Sequence, residues 1–353
     1  MKNIKSFITF ILLISFIHSS FATKWRVNNT LSAPDEVDFV ELKDAVENNL
    51  VISGDTVYVE GSATPYEGEI ELFKSLTIIG PGYLLGQSHL QPTVCSFLPA
   101  TIGDKPGITL MEGSGGTFIT GMEFITSFSF PQSIILQNTE DITITRNRLE
   151  TIFFEDGNSN GPNICSNIII TRNLICHEIA FGCPLDLNGI WIGNNLIHDD
   201  IVSDCTFTDN THIENGVVEY NTFRGSANED LWIKGSLIRF NMIGEICALP
   251  NENIMIHNNR LSANTTKNNN IVSVDASNFI DDYDSFEWDC DTDDWRLQLE
   301  DMAHGAHNGL NAIYGNQAVD IPNLPAWPIM SECKVESCAD TTLQVQFTIR
   351  TNQ

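Results

Sequence analysis

The sequence predicts an all-β solenoid, in which short strands from successive copies of one repeat stack on one another. The octapeptide ITITRNRL at 142–149 returns as IIITRNLI at 168–175. Further copies keep the order of a β-branched residue, two variable residues, an asparagine, one variable residue and an apolar residue. Their mean spacing is about 22 residues, a period typical of solenoids. The copies are short and bounded by glycine, asparagine and aspartate, which indicates strands rather than helices.

Aligning the copies produces columns of equivalent residues. The asparagine column contains Asn147, Asn173, Asn195, Asn221, Asn241 and Asn259. Two apolar columns contain Ile144, Ile170, Ile192, Val218, Ile238 and Ile256, and then Leu149, Ile175, Ile197, Phe223, Ile243 and Leu261. We expect the apolar columns to stack in the interior. We expect each asparagine to adopt the left-handed backbone of a sharp turn and to hydrogen-bond to its neighbours in the stack.

The chain divides into four regions. Residues 1–22 have a basic start, an apolar run at 7–17 and small residues at Ser20 and Ala22, which predicts a cleaved secretory signal peptide and a secreted or cell-surface protein. Residues 23–54 form an N-terminal cap region with an amphipathic helix. Residues 55–280 carry the repeats, and residues 281–353 form an acidic loop and a C-terminal closing extension. No transmembrane segment is expected in the mature chain, since no later apolar run is long enough.

The composition is strongly acidic. The chain has 46 acidic and 18 basic residues, a formal net charge of −28. Nucleic acids and anionic membranes are therefore disfavoured as partners, because both are polyanions. The charge also favours solubility outside the cell. Nine cysteines in an exported chain predict disulfides, and the odd number leaves at least one cysteine unpaired or bonded to another chain.

The segment SGDTVYVEG at 53–61, following the expected cap helix, and the repeats after it carry a resemblance to a known family. The chain resembles exported right-handed parallel β-helix repeat proteins of the pectate-lyase-like superfold, of the kind common in Bacteroidota-type bacteria. The ending TTLQVQFTIRTNQ is similar to their strand-rich ending. The resemblance implies a right-handed parallel β-helix (solenoid) with an N-terminal helical cap and a short C-terminal strand extension. It implies no single activity, because this superfold carries many.

Three residues are weak candidates for catalysis. Asp199 and Asp200 would form an acid/base pair if both faced one groove, but a turn between strands explains them equally well. Lyases of the superfold combine calcium with a basic residue on the outer face, which makes Arg172 a candidate together with Arg146 in the preceding copy. The alternative is that these arginines pair with carboxylates of the acidic surface. The catalytic set of the superfold's hydrolases matches only in part.

An acidic segment at 280–295 is a candidate calcium site. Asp289, Asp291 and Asp293 alternate in a D-x-D-x-D pattern, and hard Ca²⁺ prefers several carboxylate oxygens. The glycine and the distal glutamate of an EF-hand loop are missing from their places. The alternative is a solvated acidic loop that binds no ion.

A column of mostly apolar residues is expected on the outer face, one position before the first buried column. It contains Thr143, Ile169, Trp191, Val217, Leu237 and Met255. Loops or the C-terminal segment 323–353 would cover it, or it would be a docking surface on which Trp191 stacks against a sugar ring or a partner.

These features lead to two functional hypotheses. The first is an exported binding or structural module that contacts a polysaccharide or a cell-surface component. The alternative is a polysaccharide lyase or glycoside hydrolase that uses calcium or a pair of carboxylates.

Overall fold

The computed structural model describes sixteen segments of the chain. They are residues 22–31, 36–83, 98–103, 106–125, 132–155, 163–182, 185–198, 201–203, 211–223, 233–239, 242–243, 255–257, 260–261, 271–272, 328–337 and 343–351. The regular secondary structure of these segments is nearly all β-strand, and their single α-helix is α1, Leu42–Glu47. None of their helices is both long enough and apolar enough to span a membrane.

The strands are short, and β-branched residues are frequent in them, as expected for a stacked β-structure. The first fourteen are β1 Lys24–Val27, β2 Thr56–Val59, β3 Tyr66–Glu67, β4 Ile70–Leu72, β5 Thr77–Ile79, β6 Thr101–Gly103, β7 Ile108–Leu110, β8 Phe118–Thr120, β9 Glu123–Ile125, β10 Gln132–Leu136, β11 Thr139–Glu140, β12 Thr143–Thr145, β13 Arg148–Leu149 and β14 Thr151–Phe154. The next nine are β15 Asn163–Ser166, β16 Ile169–Thr171, β17 Leu174–Ile175, β18 Ile179–Phe181, β19 Leu185–Asn188, β20 Trp191–Gly193, β21 Leu196–Ile197, β22 Ile201–Ser203 and β23 Thr211–Glu219. The last eight are β24 Thr222–Phe223, β25 Ile233–Arg239, β26 Met242–Ile243, β27 Met255–His257, β28 Arg260–Leu261, β29 Ile271–Val272, β30 Pro328–Ser337 and β31 Leu343–Thr351.

All but two of these strands belong to three parallel sheets. Sheet 1 has 13 strands and runs β1-β2-β5-β8-β12-β16-β20-β23-β25-β27, with β19, β15 and β11 joined through the long strand β23. Sheet 2 has 10 strands and runs β3-β6-β9-β13-β17-β21-β24-β26-β28-β29. Sheet 3 has 6 strands and runs β4-β7-β10-β14-β18-β22. The last two strands, β30 and β31, form an antiparallel pair with each other.

The chain visits the three sheets in a fixed order, so that each strand pairs with its equivalents in the neighbouring copies of the repeat. Strands β12, β13 and β14 belong to sheets 1, 2 and 3, and β16, β17 and β18 repeat that order. All pairings within these sheets are parallel. This topology is compatible with a parallel β-helix, and hence with the resemblance inferred from the sequence.

The two predicted apolar columns are confirmed as interior columns. Ile144 pairs in register with Ile170, and Ile170 with Ile192, all with no solvent exposure. In sheet 2, Leu149 pairs with Ile175, and that column continues to Ile197 with the same complete burial. Burial of one such side chain contributes about 1.5–3 kcal/mol to folding. Each column therefore joins neighbouring copies through a continuous apolar core.

The predicted asparagine stack is present from Asn147 to Asn221. The backbone N–H of Asn147 donates to Oδ1 of Asn173 at 3.0 Å, and Asn173 donates in the same way to Asn195, also at 3.0 Å. The Nδ2 group of Asn173 donates to the carbonyl of Ile144 at 3.0 Å. All of these asparagines are completely buried. The corresponding positions 241 and 259 lie outside the described residues.

The expectation that these asparagines adopt left-handed backbone is wrong. The left-handed residue is the one before each asparagine: Arg146, Arg172, Asn194 and Tyr220, with φ of 55°, 59°, 57° and 56°. The reason is that the asparagine side chain points inward, where it satisfies backbone groups of adjacent copies. The sharp turn of the chain out of sheet 1 is therefore made one residue earlier.

The predicted N-terminal helix is present but shorter than the amphipathic segment 38–50. Helix α1 buries Leu42, Ala45 and Val46 and contacts β1, β3 and β4. Two hydrogen bonds at its C-terminal end join the N–H of Asn48 to the carbonyls of Asp44 and Ala45. The apolar spacing in the sequence therefore identified Leu42 and Val46 correctly, whereas Leu50, expected on the same face, lies beyond the helix and is 71% exposed.

The cysteines of the described segments have different states. Cys176 is disulfide-bonded to a cysteine whose side chain lies outside the described residues. Cys165 is free and completely buried on β15. Burial raises the pKa of its thiol to about 11.

We predict that Asn173→Ala lowers the free energy of unfolding by about 2 kcal/mol or more. The buried N–H of Asn147 would lose its acceptor, and an unsatisfied buried donor costs about 1–3 kcal/mol. Urea unfolding measures the change. The matched control is Asn188→Ala, at an exposed asparagine, which should change the value by no more than about 0.5 kcal/mol. Equal losses in the two variants would contradict the proposed role of the stack.

We also predict that Cys165 is inert in the folded protein. A thiol with a pKa of about 11 is almost entirely protonated at pH 8, and this one has no solvent exposure. Mass spectrometry after iodoacetamide treatment should find Cys165 unmodified in buffer and alkylated in urea. Rapid alkylation of the native protein at Cys165 would contradict its placement on the inner face.

Candidate functional site

The outward column of sheet 1 has the register that the sequence predicted. Each member pairs in register with the next one in the series Thr143, Ile169, Trp191, Val217, Leu237 and Met255. Phe118 pairs with Thr143 and extends the column by one strand. We call the six residues from Phe118 to Leu237 the apolar stripe. All six side chains are partly exposed, so nothing covers the stripe completely.

The five-membered ring of the Trp191 indole lies close to Gly193, two residues further along the same strand. A Cβ atom added to Gly193 would lie 2.8 Å from Nε1 of Trp191 and 3.1 Å from its Cε2. Residues two apart on a strand share a face, so the missing side chain at Gly193 makes room for the indole. The indole N–H is buried and has no hydrogen-bond partner. The ring therefore contacts the sheet along one side, while the residue as a whole stays partly exposed.

Arg146 and Arg172 occupy equivalent turns in neighbouring copies, where the chain passes from sheet 1 to sheet 2. Both have left-handed backbone, and the N–H of Arg146 donates to the carbonyl of Thr171 at 3.4 Å. The N–H of Arg172 donates to the carbonyl of Gly193 at 3.3 Å. We call this pair of residues the arginine corner. Because the indole of Trp191 lies close to Gly193, the corner directly adjoins the indole.

The described residues supply no carboxylate partner for these two arginines. Neither Arg146 nor Arg172 forms an ion pair or a side-chain hydrogen bond there. The nearby carboxylates lie instead around Arg148, with Glu123 at 3.9 Å and Glu150 at 3.4 Å. Glu123 also accepts a hydrogen bond of 2.5 Å from the hydroxyl of Thr101. The two nearby carboxylates therefore already have partners on sheet 2.

The side chain of Arg146 is deep in the structure. The residue is only 8% exposed. Burial, followed by the positive charge of Arg172, lowers the pKa of Arg146 to about 10. At that pKa the guanidinium still carries its charge at neutral pH. The corner therefore holds two adjacent cations in a protein whose net charge is −28.

Tyr83 lies within electrostatic reach of Arg148 and, more weakly, of Arg146. It has no solvent exposure, and its hydroxyl has no hydrogen-bond partner. Burial raises the pKa of the phenol, while the charges of Arg148 and Arg146 act in the opposite direction. A buried hydroxyl without a partner is costly, because it has lost its bonds to water.

Of the site residues predicted from the sequence, the structure describes two and leaves five outside the described residues. Arg172 and Trp191 both contact Gly193: its carbonyl accepts the backbone N–H of Arg172, and the Trp191 indole lies close to its Cα. The aspartates at 199, 200, 289, 291 and 293 lie outside the described residues, so the carboxylate pair and the calcium site stay predictions. Within the segments that the structure describes, no group of three or more His, Cys, Asp or Glu residues is arranged to hold a metal ion.

Sequence reasoning missed two residues of this face. Gly193 belongs to the column of equivalent positions that runs from Thr145 to His257, and it is the only glycine in that column. It also follows a tryptophan by two positions. A lone glycine two residues after a tryptophan on a strand is a signal that the sequence offered for this contact. Tyr83 has no sequence signal, because it comes near Arg148 and Arg146 through tertiary packing across many residues.

Comparison with known proteins supplies no relative from which a function could be inferred. No protein family matches the chain, and no curated protein or solved structure is detectably similar to it. The pectate-lyase-like resemblance therefore rests on the sequence motifs, and the function is argued from the described residues.

We predict that Gly193→Ala displaces the indole of Trp191. The new methyl group would lie within 2.8 Å of Nε1, closer than any ordinary contact. Acrylamide quenching of tryptophan fluorescence should increase in this variant. The increase should vanish when the same change is made in a Trp191→Phe background.

The matched control is Gly115→Ala, whose methyl group would meet Glu140 at 3.3 Å and no tryptophan. It should leave quenching unchanged. Equal quenching in wild type and Gly193→Ala would show that the indole does not lie close to Gly193.

Proposed function

We propose that the chain is an exported, right-handed parallel β-helix protein that binds carbohydrate, with Trp191 as its stacking platform. The fixed order of the three sheets supports a helix of this kind, and crossover connections between parallel strands are almost always right-handed. Helix α1 would cover the N-terminal end of the core, where it buries three apolar side chains. Residues 1–22 would direct export.

The observation that carries the proposal is the position of the Trp191 ring. An indole that is fixed against the strand at Gly193 and stays partly exposed offers a rigid apolar surface to a ligand. A sugar ring has an apolar face of C–H groups that matches such a surface. The apolar stripe continues above and below through Ile169 and Val217, so the platform is part of a longer partly exposed track. A polymeric ligand suits a track that crosses several strands.

The charge of the protein narrows the ligand class. A net charge of −28 repels a dense polyanion at low ionic strength. Nucleic acid, whose bases also stack on aromatic side chains, is disfavoured for that reason. A neutral glycan, or one with widely spaced acidic groups, fits both the platform and the charge.

We predict that Trp191→Ala weakens glycan binding at least about tenfold, a loss of about 1.4 kcal/mol. Trp191→Phe should retain most of the affinity, because it keeps an aromatic surface. The measurement is a glycan array of the purified mature protein, followed by isothermal titration calorimetry with the best ligand. The control is Phe73→Ala, which removes an aromatic residue that is 55% exposed away from the stripe.

Two results would overturn the proposed role. One is the absence of any bound glycan on the array. The other is equal affinity of wild type and Trp191→Ala.

Incubating the purified protein with each bound polysaccharide and assaying for products separates binding from catalysis. Unsaturated or reducing-end products released from a bound polysaccharide would replace the binding proposal with the lyase or hydrolase alternative. Calcium-dependent product would then direct mutagenesis to the aspartates at 289, 291 and 293 and to Arg172, and calcium-independent product to those at 199 and 200. Binding without product supports a binding module.

A further inference from the structure

We propose that Arg146 and Arg172 form a binding site for one oxyanion group, a carboxylate or a sulfate or phosphate ester, carried by the ligand that stacks on Trp191. This inference deepens the proposed function and rests on it for the identity of the ligand's ring. The anion site itself is argued from the arginine corner and the residues around it.

The first argument is the lack of partners. The protein has 46 acidic residues, yet neither arginine of the corner contacts a carboxylate in the described segments. Arg146 is 8% exposed, so its charge has lost most of its hydration. Burial of a charge without a partner is unfavourable, and a bound anion would offset that cost.

The second argument is the spacing of the two cations. They lie at equivalent turns of neighbouring copies, and paired strands in a sheet are about 4.8 Å apart. A guanidinium group presents several N–H donors in a planar fork, so two of them at this spacing can share one oxyanion. Without the anion, the two positive charges repel each other.

The third argument is the buried hydroxyl of Tyr83. It lies near Arg146 and lacks any hydrogen-bond partner. An oxyanion in the corner would supply acceptors for a hydroxyl and two guanidinium groups together.

The fourth argument is the position of the corner beside the platform. The carbonyl that accepts the N–H of Arg172 belongs to Gly193, the residue that lies close to the indole of Trp191. A ligand with an apolar ring face and one acidic substituent would contact both. A ligand with a single acidic group also avoids the repulsion that a dense polyanion would meet.

The experiment compares glucose, glucuronate and glucose 6-sulfate as probes, by ligand-observed NMR titration of the purified mature protein. We expect at least one acidic probe to bind about tenfold more tightly than glucose, since charge-assisted hydrogen bonds exceed neutral ones. Preference for glucuronate identifies a carboxylate as the natural group, and preference for glucose 6-sulfate identifies an ester. Equal affinity of all three probes would overturn the proposal.

The variants are Arg146→Asn and Arg172→Asn. Asparagine is the matched choice, because Asn194 occupies the equivalent left-handed turn in the next copy. Each change should abolish the advantage of the acidic probe and leave glucose binding intact, while Arg172→Lys should keep part of the advantage. Arg26→Asn is the charge-matched control, at an exposed arginine that pairs with Glu60 at 2.6 Å. An anion preference that survives in both corner variants, or falls equally in the control, would overturn the site.

Inorganic sulfate separates this inference from the carbohydrate proposal. Sulfate at fixed ionic strength should raise the melting temperature of wild type more than that of the Arg146→Asn/Arg172→Asn double variant. The comparison between proteins removes the general stabilisation that sulfate gives to any protein. A specific shift without glucose binding would support the anion site and reject the sugar platform. Glucose binding with no sulfate-dependent difference in melting temperature and no preference for an acidic probe would support the sugar platform and reject the anion site.

Discussion

Between one copy of the repeat and the next, the side-chain oxygen of a buried asparagine accepts the backbone N–H of the asparagine before it. The acceptor always comes from the following copy, so each copy is satisfied only when its neighbour is present and in register. Apolar columns alone would tolerate small shifts, since one isoleucine resembles another. A stack of buried amides does not tolerate such shifts, because a misplaced asparagine leaves hydrogen-bond donors and acceptors unsatisfied. The stack therefore fixes which outer residues are neighbours.

The outer face follows from that register. The inward asparagine places the turn on the preceding residue, whose identity varies from copy to copy. This position holds Arg146 and Arg172, at a cost of about 1–2 kcal/mol per residue for left-handed backbone. Such strain persists where the surroundings dictate the conformation, and here the asparagine stack dictates it. The arginine corner thus depends on an interior hydrogen-bond network.

Electrostatics makes the corner unusual for this chain. In a protein with a net charge of −28, an arginine would be expected to find a carboxylate. Arg148 does, through Glu123 and Glu150, and the pair beside it does not. The difference is one of geometry, because Arg148 lies on a strand of sheet 2 while the two corner residues lie on the turn before it. Among the described residues, two positive charges without a carboxylate partner therefore lie at neighbouring turns of a strongly acidic protein.

The sequence by itself determined the repeat, the interior columns, the asparagine stack and the outward position of Trp191. These features depend on a period along the chain, and a period can be read from one dimension. Tertiary structure decided which residue of the turn is left-handed, that the corner arginines lack carboxylate partners among the described residues, that Tyr83 is buried near Arg148 and Arg146, and that the indole lies close to Gly193. Each of these depends on side-chain direction or on contacts between distant segments, and neither has a spacing that a sequence pattern can reveal.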